Sequence, residues 1–198
     1  MTSTDKLYGL IMAGGYSKRM QQDKGLINYH GKPQRTYVYE LLEEICDDVF
    51  MSIRKNQQSQ FAPHIKTIVD ENKYEGPFNG LLSAHNFDSE AAWLVLACDL
   101  PLMDAVNLKR LKEARDKSKV ATVFAAEKTN LPEPLCAIWE PNGLRAAMRF
   151  IAEENSFSPV KFLLNNDAKI VNPTQDAVLL NANTEDDRKK AIEKLRKK

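Results

Sequence analysis

The segment Ala13-Gly14-Gly15-Tyr16-Ser17-Lys18-Arg19-Met20-Gln21-Gln22-Asp23-Lys24-Gly25 carries the residue types of a phosphate site. Paired glycines let backbone N–H groups approach a ligand closely and form an anion-binding concavity. Arg19 and Lys24 in the same loop can neutralise phosphate charge. The apolar run Leu7 to Met12 leads directly into the loop and reads as a buried strand. Strand, glycine turn and two cations together point to a nucleoside triphosphate. Two familiar phosphate motifs are excluded: there is no G-x-x-x-x-G-K-[ST], and no G-x-G-x-x-G follows the strand. Taken alone, the loop also reads as an ordinary turn with Lys18, Arg19 and Lys24 solvated.

A second group of chemical residues follows the densest apolar run, Trp93 to Ala97, as Cys98-Asp99-Leu100-Pro101. A carboxylate at the end of a central buried strand is costly unless it is paired or binds a metal. In a parallel sheet Asp99 lies at the same edge as the glycine loop. Mg²⁺ is usually held by one or two carboxylates plus substrate phosphates, which fits Asp99 as its ligand. A cap or local turn is the plainer role for Asp99. Asp70, with Glu71, Asn72 and Gly76-Pro77, follows a third apolar run, Ile65 to Val69. His30, His64 and His85 are far apart and match no metal-ligand spacing, so each reads as surface or structural. No Ser-His-Asp or Cys-His pairing points to a covalent intermediate.

The elements that must position these residues alternate. Strands are predicted at Leu7–Met12, Val49–Ile53, Ile65–Val69, Trp93–Ala97, Val120–Ala125, Leu135–Trp139 and Ala168–Val171. Helices are predicted at Pro33–Cys46, Gly80–His85, Asp104–Lys117, Leu144–Glu153, Pro159–Leu164 and Thr184–Lys198. In the last, Thr184 can cap, three acids open the first turn and basic residues close the helix, as the macrodipole favours. This order implies an α/β three-layer sandwich around a mostly parallel, Rossmann-like sheet, in a single domain over residues 1–198. Ligands of such sheets bind outside the carboxyl ends of the strands. The three chemical segments all fall there.

Composition narrows the function. The chain has 198 residues, 43% hydrophobic and 28% charged, with a formal net charge of +1. That balance argues against a nucleic-acid partner, which needs a basic footprint. No run reaches the roughly 20 apolar residues of a membrane span, and the start shows no signal-peptide core. Cys46, Cys98 and Cys136 are isolated, which suits a reducing compartment. The cytoplasm is the expected location.

The ordered signatures resemble the molybdenum cofactor guanylyltransferases, in the nucleoside triphosphate transferase superfamily. They are Met12-Ala13-Gly14-Gly15, Arg19-Met20, Asp23-Lys24-Gly25-Leu26 and Gly31-Lys32-Pro33, then Asp70, Gly76-Pro77 and Gly80-Leu81. Ala97-Cys98-Asp99-Leu100-Pro101, Pro132-Glu133-Pro134-Leu135 and Asn181-Ala182-Asn183-Thr184 complete the set. The resemblance runs from about Leu7 to about Arg188 and implies the fold of nucleotide-diphospho-sugar transferases. It implies transfer of GMP from GTP to the phosphate of molybdopterin, with release of pyrophosphate. Met12, Ala13, Gly14 and Gly15 would hold the nucleotide by backbone, Lys24 would meet phosphates, Asp99 would hold Mg²⁺ and Asp70 would lie by the guanosine. Arg19, Lys24 and Asp99 are thus the expected catalytic residues. The acceptor phosphate is already ionised, so no general base is required. A molybdenum-inserting protein and acceptor molybdoenzymes are the implied transient partners. Three positions depart from the family pattern: Gln21 for a glycine, Arg54 (with Asn56 nearby) for an asparagine, and Glu185 for a proline after Asn183-Thr184. Either Asn181 or Asn183 could face the metal. A molybdopterin cytidylyltransferase, a sugar-phosphate nucleotidyltransferase and a non-catalytic nucleotide-binding module are the competing readings.

Overall fold

The computed structural model describes residues 5–13, 16–17 and 22–197. Mostly apolar strand sequences pack between amphipathic helices, as the sequence pattern predicts. The strands are β1 (Leu7–Met12), β2 (Tyr16–Ser17), β3 (Gln22–Asp23), β4 (Asp48–Ile53), β5 (Lys66–Val69), β6 (Ala92–Ala97), β7 (Ala121–Ala125), β8 (Pro132–Trp139) and β9 (Lys169–Val171). The helices are α1 (Gln34–Glu43), α2 (Pro77–Phe87), α3 (Ala105–Glu113), α4 (Pro141–Glu154), α5 (Pro159–Asn165) and α6 (Glu185–Leu195).

Seven strands form one sheet in the order β5-β4-β1-β6-β8-β7-β9, while β2 and β3 pair separately as a small hairpin. The pairs β1–β4, β1–β6, β4–β5 and β7–β9 are parallel. Only β8 runs against its neighbours β6 and β7. The reason is local: β7 ends at Ala125 and β8 starts at Pro132, which is too short a link for a parallel crossover. Pro132 opens β8 three residues before the strand predicted at Leu135; proline is tolerated at a strand's first residue. Likewise α2 begins at Pro77 rather than Gly80, because proline suits a helix's first position.

Successive residues on a strand face opposite layers. Ile11, Leu94, Leu96, Phe124 and Ile138 pack against Val38 and Leu42 of α1 and Leu108 and Leu111 of α3. Leu10, Trp93, Val95, Val123 and Trp139 pack against Phe78 of α2, Leu144 of α4 and Phe162 of α5. β6 is the middle strand of the seven, and every one of its residues is buried. Each such side chain contributes about 1.5–3 kcal/mol on leaving water, so the sheet is a stiff platform for what stands on its edge. Thr184 caps α6 in a reciprocal box with Asp187, as expected. Among the described residues no helix is long and apolar enough to cross a membrane.

The register sets the site. Met12 pairs with Ser52 and with Ala97, and Ile53 pairs with Val69. The carboxyl ends of β1, β4, β5 and β6 are therefore level, and the chain leaving each one opens onto the same edge.

Candidate active site

A cavity of about 350 Å³ opens at that edge. Met12, Ala13, Lys24, Asp70 and Asp99 all line it, so five residues singled out in the sequence converge across a span of nearly ninety positions. Gly14, Gly15 and Arg19 fall outside the described residues. Ala13 donates its N–H to the carbonyls of Ile11 (2.9 Å) and Ser52 (3.2 Å). Its N–H is therefore engaged within the protein.

The β2–β3 hairpin delivers Lys24. Asp23 Oδ1 accepts from Gly25 N at 2.8 Å, which closes a tight turn around Lys24. The Lys24 ammonium donates to Asp99 Oδ2 at 3.0 Å and to Asn183 Oδ1. Asp99 stands two residues past the end of β6, and its other oxygen, Oδ1, is buried with no hydrogen-bond partner among the described residues. Asp99 and Lys24 side chains are only 17% and 20% exposed, so their charges interact through little water.

A strap from the chain's last third locks this arrangement. Three consecutive residues, Asn181 to Asn183, each bind a different part of the site. Asn181 Nδ2 donates to Glu133 Oε2 at 2.9 Å, Ala182 N donates to the Asp99 carbonyl at 2.8 Å, and Asn183 holds Lys24. Asn183 is thus the asparagine beside the Lys24–Asp99 pair, and Asn181 faces Glu133. Burial lifts the Glu133 carboxyl above its ordinary value, and the Asp99 charge adds to that. Hydrogen bonds from Asn181 and Leu135 N oppose the shift. On the other flank, His30 Nε2–H donates to the Pro101 carbonyl (2.8 Å), and its ring stacks on Tyr37 at 3.6 Å, which braces the turn after Asp99. In this position His30 serves the fold, within the surface or structural role expected of it.

The far end of the cavity is built from β4, β5 and α2. Ser52 Oγ donates to Asp70 Oδ1 at 2.6 Å. Burial raises the Asp70 carboxyl above its usual range, against the pull of the Ser52 hydroxyl and the Arg54 cation. Gly80 of α2 lies beneath; a Cβ there would sit 2.5 Å from Ser52 Oγ and 2.7 Å from Met12 Cε. Glycine keeps the helix close and the cavity open. Ser52 and Glu133 are site residues the sequence reading does not single out for a role. A lone polar residue inside the apolar run of β4 is the signal that marks Ser52.

The donor set fits Mg²⁺. Among the described residues no group of three or more His, Cys, Asp or Glu could form a complete protein cage. A carboxylate with one oxygen unpartnered among the described residues suits an ion that keeps waters and shares substrate phosphates. Cys98, buried and next to Asp99 in the chain, has its thiol pushed well up by burial, which disfavours the thiolate that a nucleophile needs.

Comparison with known proteins identifies the family. The family model of the MobA-like NTP transferase domain matches residues 9–169. A molybdenum cofactor biosynthesis bifunctional protein of Synechocystis is 34% identical over 93% of this chain. The chain spans about half of that protein's length, 53%. A molybdenum cofactor guanylyltransferase of Pseudomonas fluorescens is 30% identical over 88% of both chains. The crystal structure of molybdopterin-guanine dinucleotide biosynthesis protein A from Archaeoglobus fulgidus shares the fold, with a TM-score of 0.78, 21% identity and coverage of 96% of this chain and 100% of that one. With the family model spanning most of the chain, and with Lys24 and Asp99 meeting in one cavity at the sheet's carboxyl edge, this chain belongs to the MobA-like NTP transferase family and is a nucleotidyltransferase of that type.

Proposed function

We propose that the protein transfers GMP from GTP to the phosphate of molybdopterin. An oxygen of the acceptor phosphate attacks the α-phosphorus of GTP and forms the new P–O bond. The bond from the α-phosphorus to the bridging oxygen breaks, and pyrophosphate leaves with the electron pair. The observation that carries the reading is the Lys24–Asp99–Asn183 contact at one end of a cavity whose other end holds Asp70. Phosphoryl-type transfer needs positioning and charge neutralisation rather than covalent chemistry, and that is what these groups offer.

Lys24 sits where it can pass from Asp99 to a phosphate oxygen. Asp99 would hold Mg²⁺, which supplies charge neutralisation to the phosphates when bound. Asn183 and the strap keep the ammonium aimed into the cavity. Arg19, on the same loop, is proposed to add a second cation. Asp70 offers an acceptor to the N1–H and N2–H₂ donors of guanine, which adenine lacks. The curated relatives named guanylyltransferases support guanine as the base. Mixing protein, molybdopterin, Mg²⁺ and each of the four nucleoside triphosphates, with pyrophosphate as readout, tests the proposal. Release with GTP alone supports it; equal release with CTP contradicts it.

A further inference from the structure

Arg54 and Gln57 are not needed by the phosphate chemistry, yet they are tied to both ends of the cavity. We propose that Arg54 reads the O6 and N7 acceptors of the guanine base, with Gln57 as the residue that positions it. The inference rests on the guanylyl-transfer reading and adds a specificity-determining residue to it.

Arg54 follows Ile53, the last residue of β4, and Asp70 follows Val69, the last residue of β5. Ile53 and Val69 are register partners, and Asp70 N donates to the Ile53 carbonyl at 2.8 Å. Arg54 and Asp70 therefore stand side by side on neighbouring strands, about 4.8 Å apart in backbone. Arg54 is still extended, at φ −77° and ψ 151°. Alternation along extended backbone gives Arg54 the face of Ser52, two residues earlier, which binds Asp70 and lines the cavity; Arg54 itself is not among the lining residues and adjoins them through Asp70. The cation is close enough to Asp70 to act on its carboxyl.

Gln57 is only 3% exposed, and each end of its amide is used. Its Oε1 accepts from Arg54 N at 3.0 Å and Arg54 Nε at 3.4 Å, and its Nε2 donates to Asp23 Oδ2 at 3.5 Å. Asp23 is the residue that closes the turn around Lys24. Gln57 thus fixes the base end of the cavity relative to the phosphate end. With Nε held, the two terminal amino groups of Arg54, which have no acceptor among the described residues, form an end-on fork. That fork matches two adjacent acceptors, and O6 with N7 of guanine is the pairing arginine makes with this base. Around the purine rim the order is N2, N1, O6, N7: two donors, then two acceptors. A carboxylate beside a guanidinium presents the complement in that order. Adenine places an amino group where O6 stands and meets the fork with a donor.

Steady-state kinetics with GTP, 7-deaza-GTP (N7 replaced by C–H) and ITP (no N2 amine) test the idea. The intact protein is expected to show KM raised about tenfold for each analogue. Arg54→Ala should raise the GTP KM about tenfold and abolish the penalty for 7-deaza-GTP, while keeping that for ITP. Arg54→Lys, which keeps charge but not the fork, should behave as Arg54→Ala does. Gln57→Leu should weaken the 7-deaza penalty with kcat little changed. Equal use of 7-deaza-GTP and GTP by the intact protein would overturn the role of Arg54. So would a KM rise in Arg54→Ala that is the same for GTP, ATP and CTP, since that marks general attraction to phosphates. Equal use of CTP and GTP by the intact protein instead overturns the guanylyl reading, and this inference falls with it.

Discussion

Removing the Lys24 ammonium is expected to separate the catalytic role of the loop from its structural one. In the free protein Lys24 lies 3.0 Å from Asp99, and at an effective dielectric of ~20 that attraction is worth about 5 kcal/mol before desolvation. Both head groups keep about a fifth of their surface in water, 20% and 17%, so screening and desolvation cancel much of it. The net cost of Lys24→Ala to folding is then about 1–2 kcal/mol, set against a core of buried side chains that the change does not touch. The cost to catalysis is larger. In the transition state charge grows on the leaving pyrophosphate, and losing one preorganised cation there costs about 10²–10³ in kcat/KM. Lys24→Arg should recover only part, because a planar fork does not reproduce a point charge held by Asp99 and Asn183. Pyrophosphate release at saturating GTP and Mg²⁺, with a thermal melt of each variant, makes the comparison. Wild-type kcat/KM in a folded Lys24→Ala protein would refute the role assigned to this side chain. A loss of activity that tracks a collapse of the melt would make Lys24 structural only.

Asp99→Asn keeps an oxygen for Lys24 but not the charge a divalent ion needs, so turnover should vanish across a Mg²⁺ titration while the melt stays near wild type. Asp70 has a carboxyl raised by burial, so the folded state binds its proton more tightly than the unfolded state does. Stability from this group is therefore full below its unfolded value, about pH 3.9, and is lost as pH rises through the folded value. Asp70→Asn, whose oxygen still accepts from Ser52, should melt higher than wild type at pH 7 and lose that advantage near pH 3, as pH-dependent melts will show. Gln34 is wholly buried, and neither amide atom has a partner among the described residues. Gln34→Leu should stabilise the fold by about 1–2 kcal/mol in urea denaturation; destabilisation would mean that the amide is bonded.

The parts of this molecule legible in its sequence are those fixed by local pattern. Trp93 to Ala97 reads as a central strand because every residue is apolar, and Asp99 just beyond it reads as a site residue because a charge there needs a partner. Lys24 supplies that partner, although the two lie 75 positions apart. The alternation of strands and helices carries the layer order. The antiparallel sense of β8 is not carried by alternation; it lies in the short link after Ala125. The β2–β3 hairpin has two residues per strand, too few for any periodicity. Ser52, Gln57 and Glu133 gain their meaning from partners 18, 34 and 48 residues away, and only tertiary packing brings those together. The choice between Asn181 and Asn183 likewise depends on a strap whose course no local signal gives.

Guanylyl transfer to molybdopterin, the proposed reaction, leaves its signature in the fate of the GTP phosphates. Protein, Mg²⁺ and molybdopterin are incubated with GTP labelled at the α-phosphate, and in parallel with GTP labelled at the γ-phosphate. The expected result is the α-label in a dinucleotide whose mass is molybdopterin plus GMP, and the γ-label wholly in pyrophosphate. An α-label confined to GMP or GDP, or a dinucleotide formed equally well from CTP, would contradict it.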